Sequence, residues 1–84
     1  QIRLDKWLWY SRIYKSRSIA CKEIKLGKFR LNGIRVEKSA VLVKAGDIII
    51  FSRGKELKVV QILALGIRRG ASSEAQKLYQ DFPK

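Results

Sequence analysis

Histidine and methionine are absent from this 84-residue chain, cysteine occurs once and proline once, and only seven residues are acidic. Without histidine, and with Cys21 alone, the chain lacks the ligands of an ordinary zinc site and the bases of Ser-His or Cys-His catalysis. Seven scattered carboxylates show no spacing that assembles an acid–base pair. The glycines form neither a phosphate-cradling loop nor a dinucleotide fingerprint. An enzyme is therefore not expected, and neither a metal nor a cofactor. One cysteine forms no internal disulfide, which fits a reducing cytoplasm better than secretion. No apolar run approaches the ~18 residues that span a bilayer, and no signal-peptide pattern opens the chain. Beginning at Gln1 without a methionine, it reads as a chain whose natural start lies upstream.

What is abundant is positive charge. Nineteen Lys and Arg against the seven acids leave a net charge of +12. Hydrophobic residues still make up 46%, so the chain can build one small core. Self-repulsion of this size is tolerable when the partner is a polyanion, nucleic acid first and an anionic membrane second. Residues 1–38 hold eleven of the basic residues and three acids, whereas residues 39–84 hold eight and four. The N-terminal half is the expected contact surface.

The spacing of Leu4, Leu8 and Ser11, with Trp7 beside them, predicts a first helix over about 4–14 with Asp5 in its first turn. Trp7 and Trp9 point about 200° apart on such a helix, so one of them stays partly exposed, packed or stacked on a base. Ser16 is the expected N-cap of a second helix, and Gly27 its stop. Ile19, Ala20 and Ile24 form its expected inward side, with Cys21 packed as a small hydrophobe and Lys22 and Lys25 outward. Asn32-Gly33, between Phe29-Arg30-Leu31 and Ile34-Arg35-Val36, signals a two-residue hairpin turn. Ile48 to Phe51 reads as a buried strand after a Gly46-Asp47 turn. Leu57 to Leu63 reads as its partner beyond the turn at 52–55. Ser73 and Gln76 have the form of a capping box, predicting a short helix over about 72–80 that sets Ala75, Leu78 and Tyr79 on the body, with Pro83 ending the pattern. The expected fold is one small α+β domain over 1–84.

The run Ser16-Arg17-Ser18-Ile19-Ala20, then Ile24, Gly27-Lys28 and Leu31-Asn32-Gly33, resembles the S-four RNA-binding domain. Arg3-Leu4-Asp5-Lys6-Trp7-Leu8-Trp9 at the start, and Arg68-Arg69-Gly70-Ala71 with Glu74-Ala75 and Leu78-Tyr79 near the end, narrow the resemblance to the ribosome-associated heat-shock branch of that family. It implies two N-terminal helices on a small, mostly antiparallel sheet, with the helices and the adjoining hairpin docking on structured RNA. It also implies a partner in the large ribosomal subunit, stalled with a nascent chain on its transfer RNA. Members of that branch carry a further basic C-terminal extension, which would lie beyond Lys84.

Read from charge and chemistry, the RNA-contacting candidates are Arg3, Lys6, Arg12, Lys15, Ser16, Arg17, Lys22, Lys25, Lys28, Arg30, Asn32 and Arg35. Lys and Arg neutralise phosphates, Arg also stacks on unpaired bases, and the N-terminus of the second helix favours an anion. Duplex DNA ranks second, because no dimerising recognition helix is apparent. A monomer is expected. Two rival readings are an RNA-binding module detached from an RNA-modifying enzyme or transfer-RNA synthetase, and a membrane-surface protein. The apolar residues, committed to a mixed core, count against the second.

Overall fold

A computed structural model gives the fold, described here for residues 1–82. The order is β1 (Ile2–Arg3), α1 (Leu4–Tyr10), α2 (Arg17–Lys25), β2 (Phe29–Leu31), β3 (Ile34–Val36), β4 (Leu42–Val43), β5 (Ile48–Arg53), β6 (Glu56–Ile62), α3 (Ser72–Ala75), a 3-10 turn (Gln76–Leu78) and β7 (Tyr79–Asp81). Five strands form an antiparallel sheet in the order β3-β2-β5-β6-β7, and β1 pairs with β4 in a second, two-stranded ribbon. The α+β expectation holds, with a sheet that is wholly antiparallel.

Leu4, Trp7 and Leu8 of α1 and Ala20 and Ile24 of α2 pack with Phe29, Ile49, Phe51, Val60 and Ile62 from one face of the sheet. Phe29 and Phe51, opposite each other in register, stack at 5.0 Å between ring centroids. With helices on one face only, β5 alternates: Ile49 and Phe51 are buried while Ile48 and Ile50 are half-exposed. The uniformly buried strand expected here is therefore a one-sided one.

All three helical segments differ in part from expectation. α1 ends at Tyr10 because Arg12 adopts φ +61, a left-handed conformation that cannot continue a helix. In α2, Ala20 and Ile24 are buried but Ile19 is 44% exposed. Ile19 and Ile24, five residues apart, lie about 140° from one another on a helix, so both cannot face one core. Cys21 is half-exposed on the flank of the same helix rather than buried. Near the C-terminus, α3 starts at Ser72, with Ala71 as a cap that makes no side-chain bond, and helical structure stops at Leu78. Tyr79–Asp81 extends along β6 instead, with the Leu63 and Ala64 N–H groups donating to Leu78 O and the Phe82 N–H donating to Val59 O. The edge of β6 would otherwise leave its N–H and C=O groups unpaired, and that demand outweighs a weak capping signal. The place of Pro83 lies outside the described residues.

Candidate nucleic-acid interface

The second helix begins as its sequence dictates: the Ile19 N–H donates to Ser16 Oγ at 3.1 Å. Gly27, at φ +77, then turns the chain, and a Cβ there would collide with the Arg35 guanidinium. Glycine at this position lets Arg35 of β3 lie against the end of α2. Lys28 Nζ, 3.4 Å from Glu23 Oε1, makes a second tie between that end and the hairpin. At the opposite end of the helix pair, the buried Asp5 carboxylate accepts from Arg3 Nε and Nη2 at 3.1 and 3.0 Å, and lies 3.5 Å from Arg17 Nε. One acid thus joins the start of α1 to the start of α2, a role beyond the first-turn place read from sequence.

None of the twelve candidates is buried. Nine are exposed, and Lys6, Ser16 and Arg17 are half-exposed. Lys22 and Lys25 lie about 60° apart on α2 and away from Ala20 and Ile24, whereas Arg17, seven residues before Ile24, lies on the inward side, against Asp5. The turn residues Asn32 and Gly33 both have positive φ, 51° and 86°. This two-residue hairpin sets Arg30 directly opposite Arg35. Among the described residues, Lys6, Arg12, Lys15, Lys22, Lys25, Arg30 and Arg35 have no carboxylate within ion-pairing distance.

Two candidates are drawn elsewhere. Asn32 donates its amide to Asp47 Oδ1 at 3.1 Å and accepts from the Ile48 N–H at 2.9 Å, so its side chain braces the start of β5. Arg12 turns to the C-terminal segment, where its Nε donates to Gly70 O at 2.7 Å. Lys6 lies 5.6 Å above the Tyr10 ring. Trp7 is buried and Trp9 half-exposed, as their separation requires, with the Arg69 guanidinium 6.0 Å from the Trp9 ring and Arg69 Nε donating to Trp9 O at 3.2 Å. Arg69 was not among the sequence candidates. Its only signal was the pair Arg68-Arg69 before a glycine.

Two groups beside this surface titrate away from their ordinary values. Burial pushes the Asp47 carboxyl up, but hydrogen bonds from Lys44 Nζ, the Lys44 N–H and Asn32, with the Lys44 charge, outweigh it and leave the pKa lowered. Burial raises the Tyr14 hydroxyl, Glu23 adds to this, and Arg53, 5.8 Å from the ring, opposes both. No three His, Cys, Asp or Glu side chains gather to hold a metal ion among the described residues, and no described helix is long and apolar enough to cross a membrane.

Comparison with known proteins places this geometry. The S4 domain model matches residues 2–49. A heat shock protein 15 homolog of Haemophilus influenzae is 43% identical over 81 residues, which is 96% of this chain and 61% of that protein. The chain thus spans about three-fifths of the heat shock relative's length. The RQC P-site tRNA stabilizing factor of Halalkalibacterium halodurans is 38% identical over 61 residues, 73% of this chain and 68% of the factor. The solved trimeric structure of Vibrio cholerae Heat Shock Protein 15 superposes with a TM-score of 0.90 at 38% identity, covering 98% of this chain and 82% of that one. That relative was solved as a trimer, so the expectation of a monomer is not carried forward.

Proposed function

The chain belongs to the S4 domain family, and from that premise we propose that it is a non-catalytic RNA-binding protein acting in ribosome rescue in the cytoplasm. Its partner is ribosomal RNA of the large subunit when that subunit is stalled with a nascent chain on its transfer RNA. The observation that carries this reading is the set of exposed cations Lys22 and Lys25 on α2 and Arg30 and Arg35 on the β2–β3 hairpin, none with a carboxylate in ion-pairing distance among the described residues. A phosphate backbone supplies the missing charge. The name of the P-site tRNA stabilizing relative supports a place on the ribosome. The match to the Haemophilus relative extends through the Arg68–Tyr79 segment, which favours a protein of the heat shock type over a module detached from an enzyme.

Binding to purified large subunits, followed against salt, tests the interface. Lys22→Ala and Lys25→Ala, neither engaged in an ion pair, should each flatten the slope of log K against log salt by about 0.7–0.9 per lost phosphate contact without altering the fold. Crosslinking in cells and sequencing of the attached RNA tests the partner. Enrichment of messenger RNA over large-subunit RNA would overturn the assignment.

A further inference from the structure

Downstream of β6 the chain crosses the end of α1 and is fastened there at three points. The Trp7 indole N–H donates to Ala64 O at 3.0 Å, Arg69 Nε donates to Trp9 O, and Arg12 Nε donates to Gly70 O. Between this segment, α1 and α3 lies an open cavity of about 190 Å³. Tyr10, Ala75 and Leu78 supply apolar walls, and Ile67, Arg68 and Glu74 stand at the remaining sides. Ile67 is 90% exposed. Arg68 and Glu74 pair at 3.3 Å with both side chains more than half in solvent.

Cavities that hold drug-sized ligands or cofactors run to about 300–1,000 Å³, so this one suits a single ring system. Its walls are apolar and aromatic, and guanidinium groups of Arg68 and, through Gly70, Arg12 flank it. A planar ring attached to a phosphate matches that combination, since unstacked bases pack on aromatic and apolar side chains while Arg takes the backbone. Glu74, exposed and shared only with Arg68 among the described residues, offers an acceptor to the N–H edge of a base. A protein side chain could fill the walls, but the surrounding excess of cations favours a polyanion.

We propose that this cavity, lined by Tyr10, Ile67, Arg68, Glu74, Ala75 and Leu78, receives one unstacked base of the RNA. The proposal rests on the RNA-binding reading above, with the docked RNA held by α2 and the hairpin. The C-terminal segment then adds base capture to phosphate contact, and the left-handed Arg12 is the residue that links the two.

The test uses an RNA stem with a single bulged purine and the same stem with that nucleotide made abasic, each titrated by fluorescence anisotropy. The protein should bind the bulged stem about fivefold or more tightly than the abasic one, the low end of what one stacked base contributes. Ile67→Ala removes an exposed side chain, so folding is unaffected, and it should shrink that preference toward unity while leaving the salt slope unchanged. Glu74→Gln, which keeps the shape, should retain the preference for the bulge and lower it between purines that differ in their N–H edge. Equal binding of both stems by the unaltered protein, or a full preference in Ile67→Ala, would overturn the cavity assignment alone. Failure to bind either stem or large subunits would overturn the RNA-binding reading with it.

Discussion

Two hairpins of one sheet, each closed by a two-residue turn, treat charge in opposite ways. In β5–β6 the register sets Arg53 opposite Glu56, and Lys58 Nζ lies 3.2 Å from Glu56 Oε2. In β2–β3 it sets Arg30 opposite Arg35, and neither has a carboxylate partner among the described residues. Opposite charges across a strand pair stabilise it, and like charges directly opposed destabilise it. Guarding an edge explains part of this: β3 is the outer strand, and a charge there discourages pairing with another chain. It does not explain Arg30, whose strand is paired on both sides. The first hairpin therefore carries a self-repulsion that an anionic partner would relieve, while the second is complete by itself.

The comparison concerns surfaces only if both hairpins share one core. Phe29 and Phe51, stacked across β2 and β5, are 0% and 2% exposed. Phe29→Ala and Phe51→Ala should each cost about 3–5 kcal/mol in denaturant unfolding. A much smaller loss for Phe29→Ala would mean that β2–β3 is loosely attached, and its charge pattern would then say little about design for a partner.

A smaller effect is expected where the hairpins are joined. Asp47 holds the turn residue Asn32 and accepts from the Lys44 N–H at 3.0 Å and Lys44 Nζ at 2.8 Å. Asp47→Ala removes these hydrogen bonds to a buried carboxylate, so a loss of about 1–3 kcal/mol should follow. The folded carboxyl titrates below its ordinary value. Its contribution is therefore complete above the unfolded pKa of about 3.9 and disappears as pH falls through the lower folded value. The unfolding midpoint of the unaltered protein should drop on going from about pH 5 to pH 3, and Asp47→Asn should flatten that drop.

Tyr14 packs against both stacked rings, at 6.3 and 6.4 Å, and its hydroxyl is buried without a hydrogen-bond partner among the described residues. Tyr14→Phe removes a desolvated group that nothing satisfies. Unfolding should occur at the same midpoint or later, with a gain of up to about 1 kcal/mol. A loss would show that the hydroxyl is satisfied in solution.

Much of this could be read in the chain, and the limits have physical causes. Local signals with one outcome were reliable: Ser16 capping α2, Gly27 turning it, and Asn32-Gly33 closing the hairpin. Signals that depend on a distant element were not. Nothing near Tyr79 tells that β6 would offer it an edge, so a helix was expected where β7 lies. Nothing near Arg12 tells that Gly70 would take its guanidinium, and Asn32 looked free for RNA because Asp47 lies fifteen residues away. Arg69 stayed unassigned because its partner, Trp9, is sixty residues upstream. Charge identified the half of the chain that carries the candidate surface, but the pairing of each charge needed the fold.

The smallest stability effect separates the two hairpins best. Arg30→Glu creates opposite charges across β2–β3, and should raise stability by about 0.2–1 kcal/mol. The same change should weaken binding to large subunits and flatten the salt slope, because a cation that faces phosphate has become an acid. Glu56→Lys is the mirror experiment: it places a cation opposite Arg53, should lower stability by a similar amount, and should leave the salt slope alone. Opposite signs for stability and binding at Arg30, with only a stability change at Glu56, are expected if one hairpin is shaped for a partner and the other for the fold. If Arg30→Glu lowered stability and left RNA binding untouched, Arg30 would be a structural residue, and the contrast between the hairpins would have no bearing on function.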